Sequence, residues 1–224
     1  MPSFCKAILV LSVFLCSSIP SLGQTNQVTI RLIANCGMSL SDGRSTIYVD
    51  FPYKSGFWIY PKYPKAELQQ LKDSAIYLFT HKHPDHYSIR QVKRVRKKKH
   101  GSTYGPWNIK KMEQLHQSLS DFSIQVFETK HLHCFHHCSY LITWHGKKIF
   151  LSGDTEHADT IALQKDLDWA FVPAWLLIDA VNKKIKINAT DVSIYHLSAG
   201  DRITIDNPKF HLMDKPGEVI VLPY

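Results

Sequence analysis

Long apolar runs are scarce in this 224-residue sequence. Beyond an apolar run at 7–16, no segment reaches the eighteen uninterrupted apolar residues that a membrane-spanning helix needs, which argues against an integral membrane protein. Glycine and proline are also few, at 10 and 11 residues, and this excludes collagen-like and low-complexity chains. The sequence therefore predicts one folded, soluble domain.

The N-terminal apolar run is too short to cross a bilayer comfortably. Lys6 precedes it as the only charged residue of the segment, and small residues follow it up to Gly23. This pattern is typical of a cleaved secretory signal peptide. We therefore predict a signal peptide at 1–23, a mature domain at 24–224 and a secreted or periplasmic protein, with an uncleaved N-terminal anchor as the alternative.

Cysteine is scarce in the predicted mature chain, which keeps only Cys36, Cys134 and Cys138. An odd number leaves at least one thiol unpaired or available as a ligand. Three cysteines are too few for a disulfide-stapled scaffold. A bridge from Cys36 to either of the others is compatible with an oxidising compartment, and the sequence leaves the pairing open.

Acidic residues are outnumbered. Loss of Lys6 with the signal peptide leaves 26 basic against 19 acidic residues, a net charge of +7. A basic surface favours anionic partners such as phosphate esters, carboxylates, anionic lipids or nucleic acid. The basic run at 93–99 is interpreted as a solvated helix face, with a substrate-attracting patch as the alternative. No specific nucleic-acid-binding motif is evident, so the predicted partner is a small, anionic substrate.

Strand-like and helix-like periodicities alternate along the mature chain, which predicts a mixed α/β domain. A hairpin turn at 41–44 separates two initial strands. Predicted strands lie at 28–35, 46–50, 75–80, 123–128, 139–144, 148–152, 169–172, 192–196 and 218–222, and predicted helices at 65–71, 89–99, 109–119 and 176–185.

Histidine is abundant, with 13 residues beside 19 carboxylates. Four potential metal ligands, His81, His83, Asp85 and His86, follow the predicted strand at 75–80. Proline after His83 prevents a continuing helix, and in a loop, side chains two residues apart can converge on one ion. His81 and His83 can hold one metal ion while Asp85 and His86 turn to a second.

Three further residues stand at predicted strand ends. Asp154 follows the strand at 148–152, and Gly153 before it permits close backbone approach. His196 ends the strand at 192–196, and Asp50 ends the strand at 46–50. Of these, Asp154 and His196 offer a carboxylate and an imidazole at the mouths of buried strands and are suitable additional ligands for the same metal centre.

With these residues in place, the sequence resembles the metallo-β-lactamase superfamily. The resemblance lies in His81-Lys82-His83-Pro84-Asp85-His86, in Ser152-Gly153-Asp154-Thr155 and in Tyr195-His196. It covers essentially the whole mature chain and implies an αββα sandwich of two mixed β-sheets flanked by helices. The strand at 168–173 is most like hydrolases of the ascorbate-6-phosphate lactonase type, and less like antibiotic-degrading branches.

Carried over position by position, the resemblance implies a dinuclear centre. His81, His83 and a third histidine would bind the first metal ion, and Asp154 would bridge both ions. The metal set is His81, His83, His131, Asp85, His86, Asp154 and His196, in which His131 is the chosen third histidine and His133 its main rival. Four further residues crowd the mouth of the site: Cys134, His136, His137 and Cys138. Their alternative roles are a disulfide, an accessory metal site or substrate contacts, and the sequence does not choose among these.

The chemistry that the resemblance implies is hydrolysis. Two divalent ions, zinc with iron or manganese as alternatives, would share a bridging hydroxide that Asp85 orients as the catalytic residue. Asp50 would support the ligand loop, its alternative being an ordinary turn-capping aspartate. No Gly-x-Ser-x-Gly elbow offers a serine nucleophile. We expect an exported metal-dependent hydrolase of ester, lactone or phosphoester bonds, the alternatives being a β-lactamase and a non-catalytic metal-binding or sensing protein.

Overall fold

Two six-stranded β-sheets form the framework of the computed structural model, which describes residues 26–198 and 200–224. The predicted signal peptide at 1–23 lies outside the described residues. The strands are β1 Gln27–Leu32, β2 Met38–Ser41, β3 Thr46–Val49, β4 Ile76–Leu78, β5 Ser102–Tyr104, β6 Phe122–His131, β7 Cys134–Trp144, β8 Lys147–Leu151, β9 Leu167–Pro173, β10 Ala189–Tyr195, β11 Phe210–Leu212 and β12 Val219–Pro223. The α-helices are α1 Lys65–Gln69, α2 Ile89–Lys99, α3 Ile109–Glu113, α4 Asp159–Ala162 and α5 Ala174–Asn182, and a 3₁₀ turn covers Gln114–Gln117.

Both sheets are mixed, as predicted. The first has the order β12-β1-β2-β3-β4-β5, and the second has the order β11-β10-β9-β8-β7-β6. Strands β3, β4 and β5 are parallel in the first sheet, and β8, β9, β10 and β11 are parallel in the second. The segments that leave β3, β4, β8 and β10 meet at one edge of the sandwich, which is where ligand sites of α/β folds usually form.

The described residues begin with three antiparallel strands, so the prediction of two was wrong. The predicted first strand ends at Leu32, because the Ile33 amide donates to the Gly37 carbonyl at 2.8 Å and closes a turn. Strand β2 then runs to the predicted hairpin turn, where Asp42 Oδ1 accepts from the amides of Arg44 and Ser45. Only four residues form β2, too few for alternation to reveal it.

The histidine-rich segment at 129–138 is a hairpin and not the predicted loop. Strand β6 continues to His131 and β7 starts at Cys134, so only two residues form the turn, and His133 takes a left-handed backbone with φ of 57°. The register between the strands shifts between Thr129 and His131. The hairpin thereby extends the second sheet toward the site edge.

The larger apolar cluster lies between the two sheets and includes Ile30, Tyr140 and Phe171, all fully buried. A second cluster joins β9 to α5 through residues such as Val172 and Leu176. Burying side chains of this size stabilises the fold by about 1.5–3 kcal/mol each. None of the α-helices in the described part of the chain has the length and apolarity of a membrane crossing.

The sandwich edge opposite the strand-end loops is held by a side-chain contact between the sheets. His145, in the turn between β7 and β8, contacts Asp42 of the β2–β3 turn through Nε2 and Oδ2 at 3.0 Å. The imidazole also stacks on the Tyr224 ring, with 4.1 Å between centroids. These contacts join the first sheet to the second without any residue of the predicted metal site.

Candidate metal centre

The predicted ligands converge at the site edge because they follow strands whose ends meet there. Asp50 follows β3, Asp154 follows β8 and His196 follows β10. Asp50 and His196 both take left-handed backbone conformations, with φ of 49° and 61°. Non-glycine residues in this region cost about 1–3 kcal/mol and concentrate at functional sites.

The loop after β4 divides its four ligands between two sides. The amides of His86 and Tyr87 both donate to the His83 carbonyl, at 3.0 and 2.8 Å, which closes a tight turn around Pro84. The Ser88 side chain then caps α2 by accepting from the Gln91 amide. The turn separates the His81 and His83 imidazoles from the Asp85 and His86 side chains, as the motif predicts.

In the described part of the chain, two groups of metal-ligand atoms consist entirely of predicted ligands. In each group the nitrogen or oxygen atoms all lie within 4.8 Å of one another. The first group is His81, His83 and His131, and the second is Asp85, His86, Asp154 and His196. The structure thus brings together every residue of the predicted metal set.

Asp154 lies between the two groups. Its Oδ2 is 2.9 Å from His86 Nε2 and 3.1 Å from His196 Nε2 in the second group. The same oxygen is 4.0 Å from His81 Nε2 and 3.9 Å from His131 Nε2 in the first. A single carboxylate within reach of both groups has the placement that a bridging ligand requires.

The donor atoms fit divalent metal ions. Among the described residues, His81 Nε2 and Asp154 Oδ1 are buried without a hydrogen-bond partner. Such atoms cost about 1–3 kcal/mol each unless a ligand satisfies them. Imidazole nitrogens with carboxylate oxygens are the ligand set that zinc, iron and manganese accept.

Asp50 orients the imidazoles of both groups. Its carboxylate accepts from the Thr80 amide at 2.7 Å, from the Thr80 hydroxyl at 2.8 Å and from His86 Nδ1 at 3.0 Å. The Thr80 oxygen in turn accepts from His81 Nδ1 at 2.9 Å. With both Nδ1 atoms donating, His81 Nε2 and His86 Nε2 are directed into the site.

Glu156 has the same role for His131, and sequence reasoning missed it. Its Oε1 accepts from His131 Nδ1 at 2.8 Å and from the Leu132 amide at 3.2 Å. His131 Nε2 thereby keeps its lone pair, and it lies 3.2 Å from His83 Nδ1. Because the contact joins residues 25 positions apart, no local sequence pattern predicts it.

Glu156→Ala is expected to weaken metal binding by about 10–100-fold, the usual effect of removing a carboxylate that orients a histidine ligand. Chelator competition on the purified protein measures this affinity. Glu113→Ala, at an exposed position in α3, removes the same charge away from the site and is the matched control. Equal metal affinity in the two variants would contradict the orienting role.

His137 holds the Asp154 backbone. Its Nε2 accepts from the Asp154 amide at 2.9 Å, and its Nδ1 donates to the Thr129 hydroxyl at 2.7 Å. Burial lowers the pKa of His137 to about 3, which keeps the imidazole neutral. His133, the rival third histidine, instead offers its carbonyl oxygen to His83 Nε2 at 3.3 Å, and its imidazole belongs to neither ligand group.

The two groups differ in electrostatics. Burial lowers the pKa of His81 and of His131, so these imidazoles keep their lone pairs available near neutral pH. Burial alone would lower the pKa of His196, but the adjacent Asp154 carboxylate raises it to about 9. Burial would also raise the pKa of Asp154, yet the charges of His196 and His86 hold it well below its usual value. Protons and metal ions therefore compete for the second group.

The three cysteines of the described chain are free, so none of the disulfides left open by the sequence is formed. The Cys36 thiol donates to the Asp85 carbonyl at 3.0 Å, and burial raises its pKa to about 12. Cys138 is buried in β7, where burial raises its pKa to about 12 as well. Cys134 and the candidate ligand His83 line one cavity of about 300 Å³.

Two aromatic residues flank His196. The Tyr60 ring meets the His196 ring edge to face at 4.6 Å between centroids. The Trp175 indole Nε1 donates to the Asp154 carbonyl at 3.0 Å. Trp58, also singled out by the sequence, is 75% exposed and does not pack against the site. The aromatic wall around the second ligand group is therefore Tyr60 and Trp175.

No family model matches the sequence, and no curated protein sequence matches it either. Solved structures do match. Igni18 from Ignicoccus hospitalis, described as a novel metallo hydrolase, is 15% identical over 88% of this chain and 99% of its own, with a TM-score of 0.64. The metallo-β-lactamase fold protein YhfI from Bacillus subtilis is 13% identical over 88% and 99%, with a TM-score of 0.62. The short form of human tRNase Z is 14% identical over 88% and 100%, with a TM-score of 0.53. The two mixed sheets, their flanking helices and these likenesses together show that the chain has the metallo-β-lactamase fold.

Proposed function

We propose that this protein is an exported metal-dependent hydrolase with a dinuclear centre. One observation carries the proposal: Asp154 Oδ2 lies within 4.0 Å of imidazoles from two separate ligand groups. The likeness to Igni18, a protein described as a metallo hydrolase, supports it. Zinc is the expected metal, since the two groups together offer imidazole nitrogens and carboxylate oxygens.

The chain would supply two sets of ligands and one proton acceptor. Bound metal ions would lower the pKa of water and polarise the carbonyl or phosphoryl oxygen of a substrate. Asp85 is placed to receive the proton of the attacking water at Oδ2, which lies 3.3 Å from His196 Nε2. Burial would raise the pKa of Asp85, but the hydrogen bond from His196 lowers it, so the carboxylate is ionised and able to accept.

The bond that is cleaved is an ester, a lactone or a phosphoester, because all three suit the same ligand arrangement. A β-lactamase uses the same centre, and turnover of a chromogenic cephalosporin would identify it. A metal-binding or sensing protein would hold the ions without turning over any of these substrates.

The first experiment is elemental analysis of the purified mature protein, followed by a panel of phosphodiesters, lactones and the cephalosporin. We expect about two divalent ions per chain, as in other two-metal sites, and turnover on one substrate class. A protein purified without metal and inactive after metal addition would overturn the proposal. Recovery of the protein outside the cytoplasm with an N-terminus near residue 24 tests export separately.

Alanine substitutions of two histidines on the β6–β7 hairpin test which of them is the third histidine ligand. His131→Ala is expected to lose metal, because it removes a donor from the first group. His133→Ala is expected to keep its metal, because its imidazole lies outside both groups. Metal loss in the His133 variant alone would show that the assignment is wrong.

A further inference from the structure

A large groove lies beside the ligand loop, between the segment at 53–69 and the start of α2. Its volume is about 1010 Å³. This is at the upper end of the volumes of small-molecule sites, which run to about 1,000 Å³. The groove therefore has room for an extended ligand of several repeating units.

The charge of the groove is of one sign. Its lining includes six cationic residues and no acidic one. All six side chains are exposed, and among the described residues none of them forms an ion pair. The six are Lys54, Lys62, Lys65, Lys82, Arg90 and Arg94.

Nearby carboxylates do not neutralise these cations. Glu67 of α1 is held by Arg31 in a bidentate pair, with distances of 3.0 and 2.7 Å. Asp85 is buried and is directed to His196 in the metal centre. The positive charge in the groove is thus available to an anionic ligand.

The N-terminal end of α2 adds to this field. Ile89, Arg90 and Gln91 of its first turn line the groove, and the helix is eleven residues long. Free amide groups and the helix dipole at such an end favour anions. Together with the six cations, the helix gives the groove a second feature suited to phosphate.

The groove leads to the metal centre through Lys82. This residue lines the groove and also the smaller cavity that contains His83 of the first ligand group. Its Nζ lies 4.7 Å from the centroid of the Trp107 ring, which borders the smaller cavity. An extended ligand bound in the groove would pass Lys82 and reach His83.

We propose that the groove binds a phosphodiester chain and that one link of this chain is the substrate. The inference rests on the proposed function and narrows its three bond classes to the phosphoester. Six charges along one groove suit a ligand with repeated anionic groups better than a single carboxylate or phosphate. Water would add across one phosphodiester link, forming a new P–O bond as the ester P–O bond breaks, and a proton passes to the leaving alkoxide.

The residues that line the groove favour recognition of the ligand through its phosphodiester backbone. Three tyrosines line the groove. Tyr53 and Tyr63 are buried, and the half-buried Tyr87 packs edge to face against Phe79 and Trp107, so the lining offers little ring surface for base stacking. The cations are scattered between 54 and 94 in the sequence, which is why they form no motif. Binding is therefore expected to depend on salt and to show little sequence preference.

The test is fluorescence anisotropy of a labelled 12-nucleotide single-stranded RNA with the purified protein between 50 and 200 mM salt. Six phosphate contacts predict a slope of log affinity against log salt of about −4. The Lys62→Glu/Arg94→Glu variant is expected to bind at least about tenfold more weakly, with a slope near −3. The matched control is Lys184→Glu/Lys186→Glu, which makes the same charge change at exposed positions outside the groove.

Three outcomes would overturn the groove assignment. One is equal weakening in both variants, which means a response to net charge alone. The others are competition by heparin, or by inorganic polyphosphate, at least as strong as competition by unlabelled RNA at equal charge. Metal content is measured on the same variants and is expected to be unchanged. A protein that binds RNA in the groove but holds no metal ion, as purified or after metal addition, would contradict the proposed function. The groove assignment would remain intact.

Discussion

Asp154→Ala is expected to reduce the metal content from about two ions per chain to fewer than one and to lower kcat/KM by about 10³-fold or more. The physical reason is that one carboxylate serves both ligand groups. Its removal leaves His86 Nε2 and His196 Nε2 facing each other at 3.0 Å without the carboxylate oxygen that contacts both. Elemental analysis and turnover of the substrate identified by the panel measure the two effects.

The control for this variant is Asp191→Ala. Asp191 lies on β10 in the same sheet and also contacts a histidine, His211, at 2.8 Å, but it belongs to neither ligand group. We expect it to keep its metal and its activity. Near-complete metal in Asp154→Ala, or equal loss in both variants, would show that Asp154 does not join the two groups.

Gly153→Ala is expected to lower the free energy of unfolding by about 2–5 kcal/mol. Gly153 has φ of +61°, and a Cβ there would lie 2.5 Å from His137 Nε2 and 2.9 Å from Thr80 Cβ. The left-handed backbone costs an alanine about 1–2 kcal/mol, and the overpacking adds about 1–3 kcal/mol. His137 cannot move aside without losing its contacts with the Asp154 amide and Thr129.

Gly146→Ala separates these two costs. Gly146 also has a positive φ, +78°, but nothing lies within 4 Å of its added Cβ. We expect it to lose only the backbone cost of about 1–2 kcal/mol. Denaturant unfolding of both variants measures the difference, and equal destabilisation would mean that the close approach of Gly153 to His137 carries no energetic weight.

The sequence predicted the parts of this molecule that depend on local pattern. Helix α2 was placed at its observed bounds, because Val92 and Val95 recur at helical spacing between a serine cap and the basic last turn. The alternating periodicities predicted a mixed α/β domain, and the resemblance to the metallo-β-lactamase superfamily implied the sandwich of two mixed sheets. Strands β5 and β11 were missed because each has three residues and no fully buried position, which leaves no alternation to detect.

At the candidate site, contacts between residues far apart in the sequence limited what could be predicted. The convergence of most candidate ligands could be predicted because they follow strand ends in motifs, whereas His131 was implied only by the family resemblance. Glu156, His137 and Cys36 were not given their roles, because their partners lie 25, 17 and 49 residues away and arise only when the sheets assemble. The choice of His131 over His133 depends on the register shift in the β6–β7 hairpin, which no local pattern encodes.

The side-chain contact between His145 and Asp42 has a consequence for preparing the protein. It joins the sheets at the edge away from the ligands, so the framework has an attachment that does not depend on a bound ion. Stripping the ions with a chelator should therefore leave a folded protein that can be reconstituted. One preparation could then be loaded in turn with zinc, iron or manganese, and the native cofactor identified by which ion restores the highest turnover.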